Sequence, residues 1–258
     1  MPAQVARPYR PTGPAIYAID TWVPGTPWRS ARHQLLSAGE RAQLAKIASI
    51  VRYEKGEEIY HQGSPAVAAF NIISGVATTY WLTPRDRQHI TAFLFPGDIF
   101  GLSEEGKYTN SAKAATPVSA YKFPLHALRR VLSENADLDV NIIVKLCQEL
   151  RQAQQHAIIL AKKHAVSRLA MFLSLHEQLQ SVAGKPSSEI YLPMDRSAIA
   201  EYAGLSLAAV SRAFRALIGG GVIICRDRRH AKVIDRAALQ RAADDTTRGI
   251  RGGRKLRA

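Results

Sequence analysis

The sequence predicts an α+β chain. A small antiparallel β barrel comes first, a long helix follows, and a compact helical unit with a basic β-hairpin ends the fold. Three observations carry this reading. Between Arg52 and Pro124, short runs rich in β-branched and aromatic residues alternate with glycines. From Asp137 onward an apolar stripe recurs in steps of three and four. Beyond Asp195 two short helical segments flank a glycine, and an Arg-rich hairpin follows them.

Composition sets the outer limits. The chain has 258 residues, 35 Lys+Arg against 21 Asp+Glu, and a net charge of +14. A hydrophobic content of 47% is too high for a disordered chain. The length allows one large domain or two ordinary ones. Neither terminus carries an apolar run near the ~18 residues a membrane helix needs, so no membrane span is expected. The start, MPAQVARPYRPTGPAIYAID, lacks the apolar core of a signal peptide, and a cytoplasmic location is expected. Two cysteines, Cys147 and Cys225, make neither a disulfide framework nor a zinc site, which fits a reduced compartment. The charge is uneven. Residues 1–160 hold 17 basic and 13 acidic side chains, while 161–258 hold 18 basic and 8 acidic. A polyanionic partner is therefore expected at the C-terminal end.

Residues 1–34, rich in proline, read as an irregular leader. A first helix is expected from Ser37, which has capping-box spacing to Glu40, with Leu44, Ile47 and Ile50 at helical spacing. The β barrel takes up the rest of 35–130, in the runs EEIYH, AAFNIIS, VATTYWLT, HITAFLF and SAYKF. Gly56, Gly63, Gly75, Gly97 and Gly106 punctuate them. FPGD reads as a turn into one more short strand. A short helix from Leu125 precedes the long one, within a helical segment at 131–163. Its stripe is Val140, Ile143, Cys147, Leu150, Gln154, Ala157 and Ala161. This seam suits a two-helix contact with a second copy, or packing against the chain's own barrel. Gln154 in the seam would fix register at some cost to stability. Cys147 is expected to act as a small buried hydrophobe. VSRLAMFLSLHEQL reads as a helix with Leu169, Phe172 and Leu173 on one face, KPSSE as a loop and IYLP as a strand.

The segment 164–247 carries the strongest signal. Asp195 is a good N-cap for a helix from Arg196, and Gly204 can end it in a left-handed turn. Ser206 then caps a second helix. Ile199, Ala203, Leu205, Val210 and Phe214 are apolar where two such helices touch, and small Ala200 permits a close approach. Gly219, Gly220 and Gly221 stop the second helix. VIICRDRRHAKVID then reads as a hairpin wing, and the whole as a winged helix-turn-helix that binds double-stranded DNA. On the second helix Leu207, Ala208, Ser211, Arg212 and Arg215 are expected outward. Arg212 suits a bidentate guanine contact, Ser211 a base or a phosphate, and Leu207 and Ala208 a thymine methyl. Arg226, Arg228, Arg229 and Lys232 of the wing, with Arg196 and Ser206 at helix starts, suit phosphates. Cys225, beside Arg226, is either an inert strand cysteine or a thiol whose pKa a cation lowers. The last residues, 248–258, read as a basic flexible arm or a solubilising tail.

This order of parts resembles the Crp/Fnr family of bacterial transcription regulators, across about residues 35–240. The resemblance rests on YEKGEEIYHQGSPA, FNIISGVATTY, FPGDIFGL and LPMDRSAIAEYAGLSLAAVSRAFRAL, the last similar to the FixK and FNR branch. It implies a cyclic-nucleotide-binding-like β-roll, a dimerisation helix and a palindromic DNA site. It further implies RNA polymerase as a partner if the protein is an activator. Two departures bear on mechanism. That branch usually carries Glu at the position of Ala208, so a carboxylate that accepts from cytosine is lost. Members that bind cyclic AMP place an Arg where this chain has Asn110, so a cyclic phosphate lacks its counter-charge. An oxygen-sensing iron–sulfur cluster needs more cysteines than two. His61, His89 and His126 single out no haem ligand. No metal or cofactor is expected, while an unknown small-molecule effector stays open. The alternative is a ligand-binding module whose basic end serves assembly or RNA contact. No G-x-S-x-G, P-loop or H-E-x-x-H is present, so no enzyme is expected.

Overall fold

The computed structural model describes residues 38–84, 88–103, 105–180 and 189–244. Ser37, the leader 1–34, the KPSSE loop up to Ser188 and the basic tail lie outside the described residues.

The chain opens with α1 (Ala38–Ile47), β1 (Ser49–Tyr53), β2 (Glu58–Tyr60), β3 (Ala68–Ser74), β4 (Ala77–Leu82) and β5 (Gln88–Leu94). β6 (Ile99–Phe100), β7 (Ser111–Ala114) and β8 (Val118–Pro124) complete the barrel. Two four-stranded antiparallel sheets result, in the orders β1-β8-β3-β6 and β2-β7-β4-β5. The glycines at 56, 63, 75, 97 and 106 all have positive φ. At Gly75 any side chain is barred twice, because a Cβ would also lie 2.0 Å from the Pro117 carbonyl oxygen. Alternate strand residues fill the space between the sheets. Tyr60 stacks on Tyr108 at 3.9 Å, and Phe70 on Phe100 at 5.4 Å.

The structure departs from the sequence reading at three places here. The α1 helix ends at Ile47, so Ile50 lies in β1, half-exposed and paired opposite Tyr121. β7 carries no β-branched residue. Its Ala112 and Ala114 are small because they are buried between β2 and β4. A further helix, described below, follows the wing.

Next come α2 (Leu125–Ser133) and α3 (Ala136–Ala161). Asn135 caps α3 by accepting from the Leu138 N–H at 3.1 Å. One stripe of α3 packs inward, with Leu138 and Ile159 fully buried. The other faces solvent: Val140, Ile143 and Leu150 are 56%, 55% and 59% exposed, and Gln154 and Ala157 are exposed too. Within the single chain most of this seam therefore faces solvent rather than the barrel, with Leu150 also bordering a cavity against it. Cys147 is exposed rather than buried.

The C-terminal unit comprises α4 (Ala165–Gln180), β9 (Glu189–Tyr191), α5 (Arg196–Ala203), α6 (Leu207–Gly219), β10 (Ile223–Cys225), β11 (His230–Val233) and α7 (Arg236–Ala243). Its sheet runs β10-β11-β9. Asp235 caps α7, accepting from the Ala238 N–H at 2.8 Å, and Arg236 pairs with Glu177 of α4 at 2.6 Å. Leu169, Phe172 and Leu173 of α4 are fully buried. This core is continuous with the barrel. Phe93 of β5 lies 5.2 Å from Tyr202 and 6.2 Å from Phe172, and His176 sits 4.3 Å from Phe172.

Burial drives the His176 imidazole down to a pKa of about 3, so it is neutral in the fold. An unfolded chain takes up that proton below pH 6.5, the ordinary histidine value. Stability is thus lost as pH falls from about 6.5 towards 3, by up to about 1.4 kcal/mol per pH unit. His176→Phe removes this proton uptake. Calorimetry at pH 7 and pH 5 should show the wild type losing more stability than the variant. Equal losses would refute the assignment.

Candidate nucleic-acid interface

The helix-turn-helix forms for local reasons. Gly204 adopts φ 61 and ψ 40, the left-handed conformation, and the Leu205 N–H closes on the Ala200 carbonyl at 2.9 Å. A Cβ on Gly204 would also stand 3.1 Å from Leu160 of α3. Ser206 Oγ accepts from the Ala209 N–H at 3.1 Å and starts α6. Ile199, Ala203, Val210, Phe214 and Leu217 bury the facing sides of α5 and α6. The turn is held from outside as well. Arg168 donates to the carbonyls of Ala203 and Gly204, each at 3.0 Å, and to Lys162 at 2.8 Å. His156 of α3 stacks on Tyr202 at 3.9 Å and donates from Nε2 to its carbonyl at 2.6 Å.

The outward side of α6 carries Leu207, Ala208, Ser211, Arg212 and Arg215, all exposed. A cleft of about 730 Å³ runs between the start of α5, α6 and the wing tip. Arg196, Arg215, Arg228 and Arg229 line it together with Asp195, Leu207 and Ser211. The wing tip is ordered by Asp227, which accepts the backbone N–H groups of Arg229 (2.7 Å) and His230 (2.9 Å). These hydrogen bonds, the Arg229 one foremost, hold its carboxyl below the usual carboxylate range.

Several side chains stand differently from the sequence reading. Asp195 occupies the N-cap position but makes no capping bond. It pairs instead with Lys55 of the barrel at 3.1 Å and with Arg229 at 3.9 Å. Arg196 borders the cleft but is partly buried. Its guanidinium carbon stands 3.2 Å from the centroid of the Phe214 ring, and one of its nitrogens is buried. Burial holds its pKa below the usual arginine value, and its other neighbour is Cys225. Ser211 already donates its hydroxyl to the Leu207 carbonyl at 2.9 Å, so only its oxygen is left to accept. Lys232 stands on the exposed face of the wing sheet, between the buried Ala231 and Val233 and away from the cleft. Arg226 is engaged by Glu189 at 3.5 Å and Asp227 at 3.8 Å. Cys225 is half-buried. Burial raises its thiol pKa, in line with the inert strand cysteine of the two readings, and the cation beside it is Arg196.

Among the described residues no group of three or more His, Cys, Asp or Glu is placed to hold a metal. No helix there is long and apolar enough to cross a membrane.

A glycine-turned barrel joined by a long helix to a winged helix-turn-helix defines a DNA-binding regulator with a sensor-type N-terminal domain. Residues 50–135 match the cyclic nucleotide-binding domain, and 167–242 the Crp-like helix-turn-helix domain. The nitrogen fixation regulation protein FixK of Bradyrhizobium diazoefficiens is 31% identical over 189 residues, 73% of this chain and 79% of the relative. A probable transcriptional activator of Rhizobium leguminosarum bv. viciae is 32% identical over 218 residues, 82% of this chain and 90% of its own. Among solved structures, FixK2 from Bradyrhizobium japonicum superposes with a TM-score of 0.70 at 30% identity, covering 76% of this chain and 97% of that one. The chain belongs to the Crp/Fnr family of transcription regulators.

The position of Arg196 makes a sharp prediction. A phosphate ligand contributes about one unit to the slope of log affinity against log salt. Arg196→Gln should weaken DNA binding and lower stability while leaving that slope unchanged. Arg228→Gln should lower the slope by about one. Titrations over a salt series distinguish the two, and a slope change at Arg196 would return it to the phosphate set.

Proposed function

We propose that the chain acts in the cytoplasm as a homodimer, not as an enzyme, and binds a palindromic duplex site through two copies of α6. The observation that carries this is the exposed face of α6 above the arginine-lined cleft. Arg212 reads guanine from the major groove, and Leu207 and Ala208 offer apolar contact to thymine methyl groups. Arg215, Arg228 and Arg229 take phosphates, with Ser206 at the α6 N-terminus. Arg226 joins them when phosphate replaces its exposed acidic partners, and Lys232 contributes from the wing's outer face.

The dimer reading is supported by the apolar seam on α3. Val140, Ile143, Cys147, Leu150, Gln154 and Ala157 keep a coiled-coil spacing and are solvent-facing or half-exposed in the single chain. A second copy of the same helix covers such a stripe symmetrically. Two recognition helices then meet successive major grooves about 34 Å apart. If the bound protein activates transcription, RNA polymerase is its further partner.

The barrel differs from a cyclic-AMP site at its charge. Asn110 stands at the position the family resemblance gives to an Arg, and it accepts a hydrogen bond from Tyr60 Oη at 3.0 Å. We infer that control by cyclic AMP or an iron–sulfur cluster is absent.

Selection from a random duplex pool should return an inverted repeat, with half-site centres about 10 base pairs apart. Arg212→Ala should reduce discrimination at one position by about 1–3 kcal/mol. Unchanged discrimination would remove Arg212 as the base reader. Leu150→Glu should give monomers by sedimentation and cost at least about 100-fold in affinity for the full site. A dimeric Leu150→Glu protein would refute the seam.

A further inference from the structure

The recognition face of α6 is poor in hydrogen-bond acceptors. From Ser206 to Gly221 the chain has no Asp, Glu, Asn, Gln, Thr, Tyr or His. The acids of the adjoining cleft and wing tip are taken up elsewhere. Asp195 pairs with Lys55 and Arg229, and Asp227 accepts from the backbone of the wing. What stands outward at the first turn of α6 is Leu207, 52% exposed, and Ala208, with Ser211 and Arg212 one turn on. At spacings of three and four these side chains share one face. We propose that this face reads the C5 methyl group of a pyrimidine, so that 5-methylcytosine is accepted where thymine is, and cytosine methylation strengthens the hold on a site. The proposal deepens the reading of α6 as the recognition helix and rests on it.

The chemistry of the major groove leads there. Thymine shows a methyl group beside an acceptor, and cytosine shows an amine donor without a methyl. Arg212 and Arg215 only donate, so they suit guanine or phosphate and do not sense a cytosine amine. Ser206 Oγ is spent on the Ala209 N–H. Ser211 has given its hydroxyl proton to the Leu207 carbonyl at 2.9 Å, which leaves its oxygen to accept. That oxygen meets an amine on either kind of base pair, from adenine in A·T or from cytosine in G·C. It therefore does not separate the two. The methyl group is the feature left to read, and Leu207 and Ala208 are the apolar surface that meets it. Ala208 has no atom beyond Cβ, so a base edge comes close enough to the helix to bury the methyl group. 5-Methylcytosine carries the same methyl at the same ring position, together with an amine that Ser211 accepts. Leu207 and Ala208 are thus specificity-determining residues, and what they determine is a methyl group rather than a base.

The test uses the full chain and the duplex returned by selection from a random pool. Each thymine of the half-site is replaced in turn by deoxyuridine, which removes only the C5 methyl. The same positions are then filled with cytosine and with 5-methylcytosine. Fluorescence anisotropy at one fixed salt concentration reads the affinities. At the position under Leu207 and Ala208, uracil should weaken binding about fourfold, the worth of one buried methyl group. 5-Methylcytosine should bind about fourfold more tightly than cytosine there. Ala208→Glu supplies the missing acceptor for the cytosine amine. It should turn the preference from thymine to cytosine and bring the methyl effect below about twofold. Ala208 is exposed, and circular dichroism checks that the variant folds. Three results would each overturn the proposal: no thymine at which uracil costs twofold or more, equal binding of cytosine and 5-methylcytosine at every such position, or a methyl effect that survives Ala208→Glu in full. Failure of the wild type to prefer any duplex would instead count against the DNA-binding reading itself.

Discussion

The placement of the recognition helix depends on the aromatic contact among Phe93, Phe172, His176 and Tyr202. Phe93 belongs to the barrel, Phe172 and His176 to α4, and Tyr202 to α5, with ring centroids 4.3–6.3 Å apart at the contacts between them. Aromatic pairs at such distances add about 0.5–1.5 kcal/mol each beyond the area they bury. The covalent link between α3 and α4 is only Lys162–His164, too short to fix an angle by itself. Packing fixes it, and His156 and Arg168 then tie α3 and α4 to the turn at Tyr202–Gly204. Because such interfaces are close-packed, a repacking of these rings moves α6 between discrete positions rather than along a continuum.

That dependence explains what was legible in the sequence. The helix-turn-helix was legible because its requirements are local: a left-handed Gly204, a capping Ser206, and apolar residues at fixed offsets. The strands AAFNIIS and VATTYWLT were legible through β-branched and aromatic content. β1 was missed because Ile50 continues the helical spacing of Leu44 and Ile47, and only pairing with β8 pulls it into a sheet. β7 was missed because its residues are selected by lack of space between two strands, which no local propensity reports. α7 is short and rich in alanine, with only Leu239 as a large apolar residue, and Arg236 ties it to Glu177 of a distant helix.

The site was legible as a set of residues and less so as a geometry. Position on α6 put Leu207, Ala208, Ser211, Arg212 and Arg215 outward, and they are outward. Arg196 was assigned by its place at a helix start, yet its neighbour Phe214 comes from the next helix. A cation 3.2 Å from a ring face, partly desolvated, braces α5 against α6. Strand alternation leaves Lys232 exposed between the buried Ala231 and Val233.

The net charge of +14 overstates what DNA meets, because acids sit among the arginines. Asp195 holds both Lys55 and Arg229, and Arg226 lies between Glu189 and Asp227. These pairs are exposed, and pairs of that kind contribute about 0–1 kcal/mol, so a phosphate competes with them readily. On the reading proposed above, Arg229 turning to a phosphate leaves Asp195 to Lys55 alone. DNA binding then tightens the link between the C-terminal unit and the barrel at the start of α5. The chain of contacts from the wing to Lys55 lies at the opposite end of α5 from the Tyr202 contact. The short helix α5 is thus held at its N-cap, Asp195, by charge and at its last turn by rings. The barrel is therefore coupled to α6 through both ends of α5, and salt weakens only the first of these contacts.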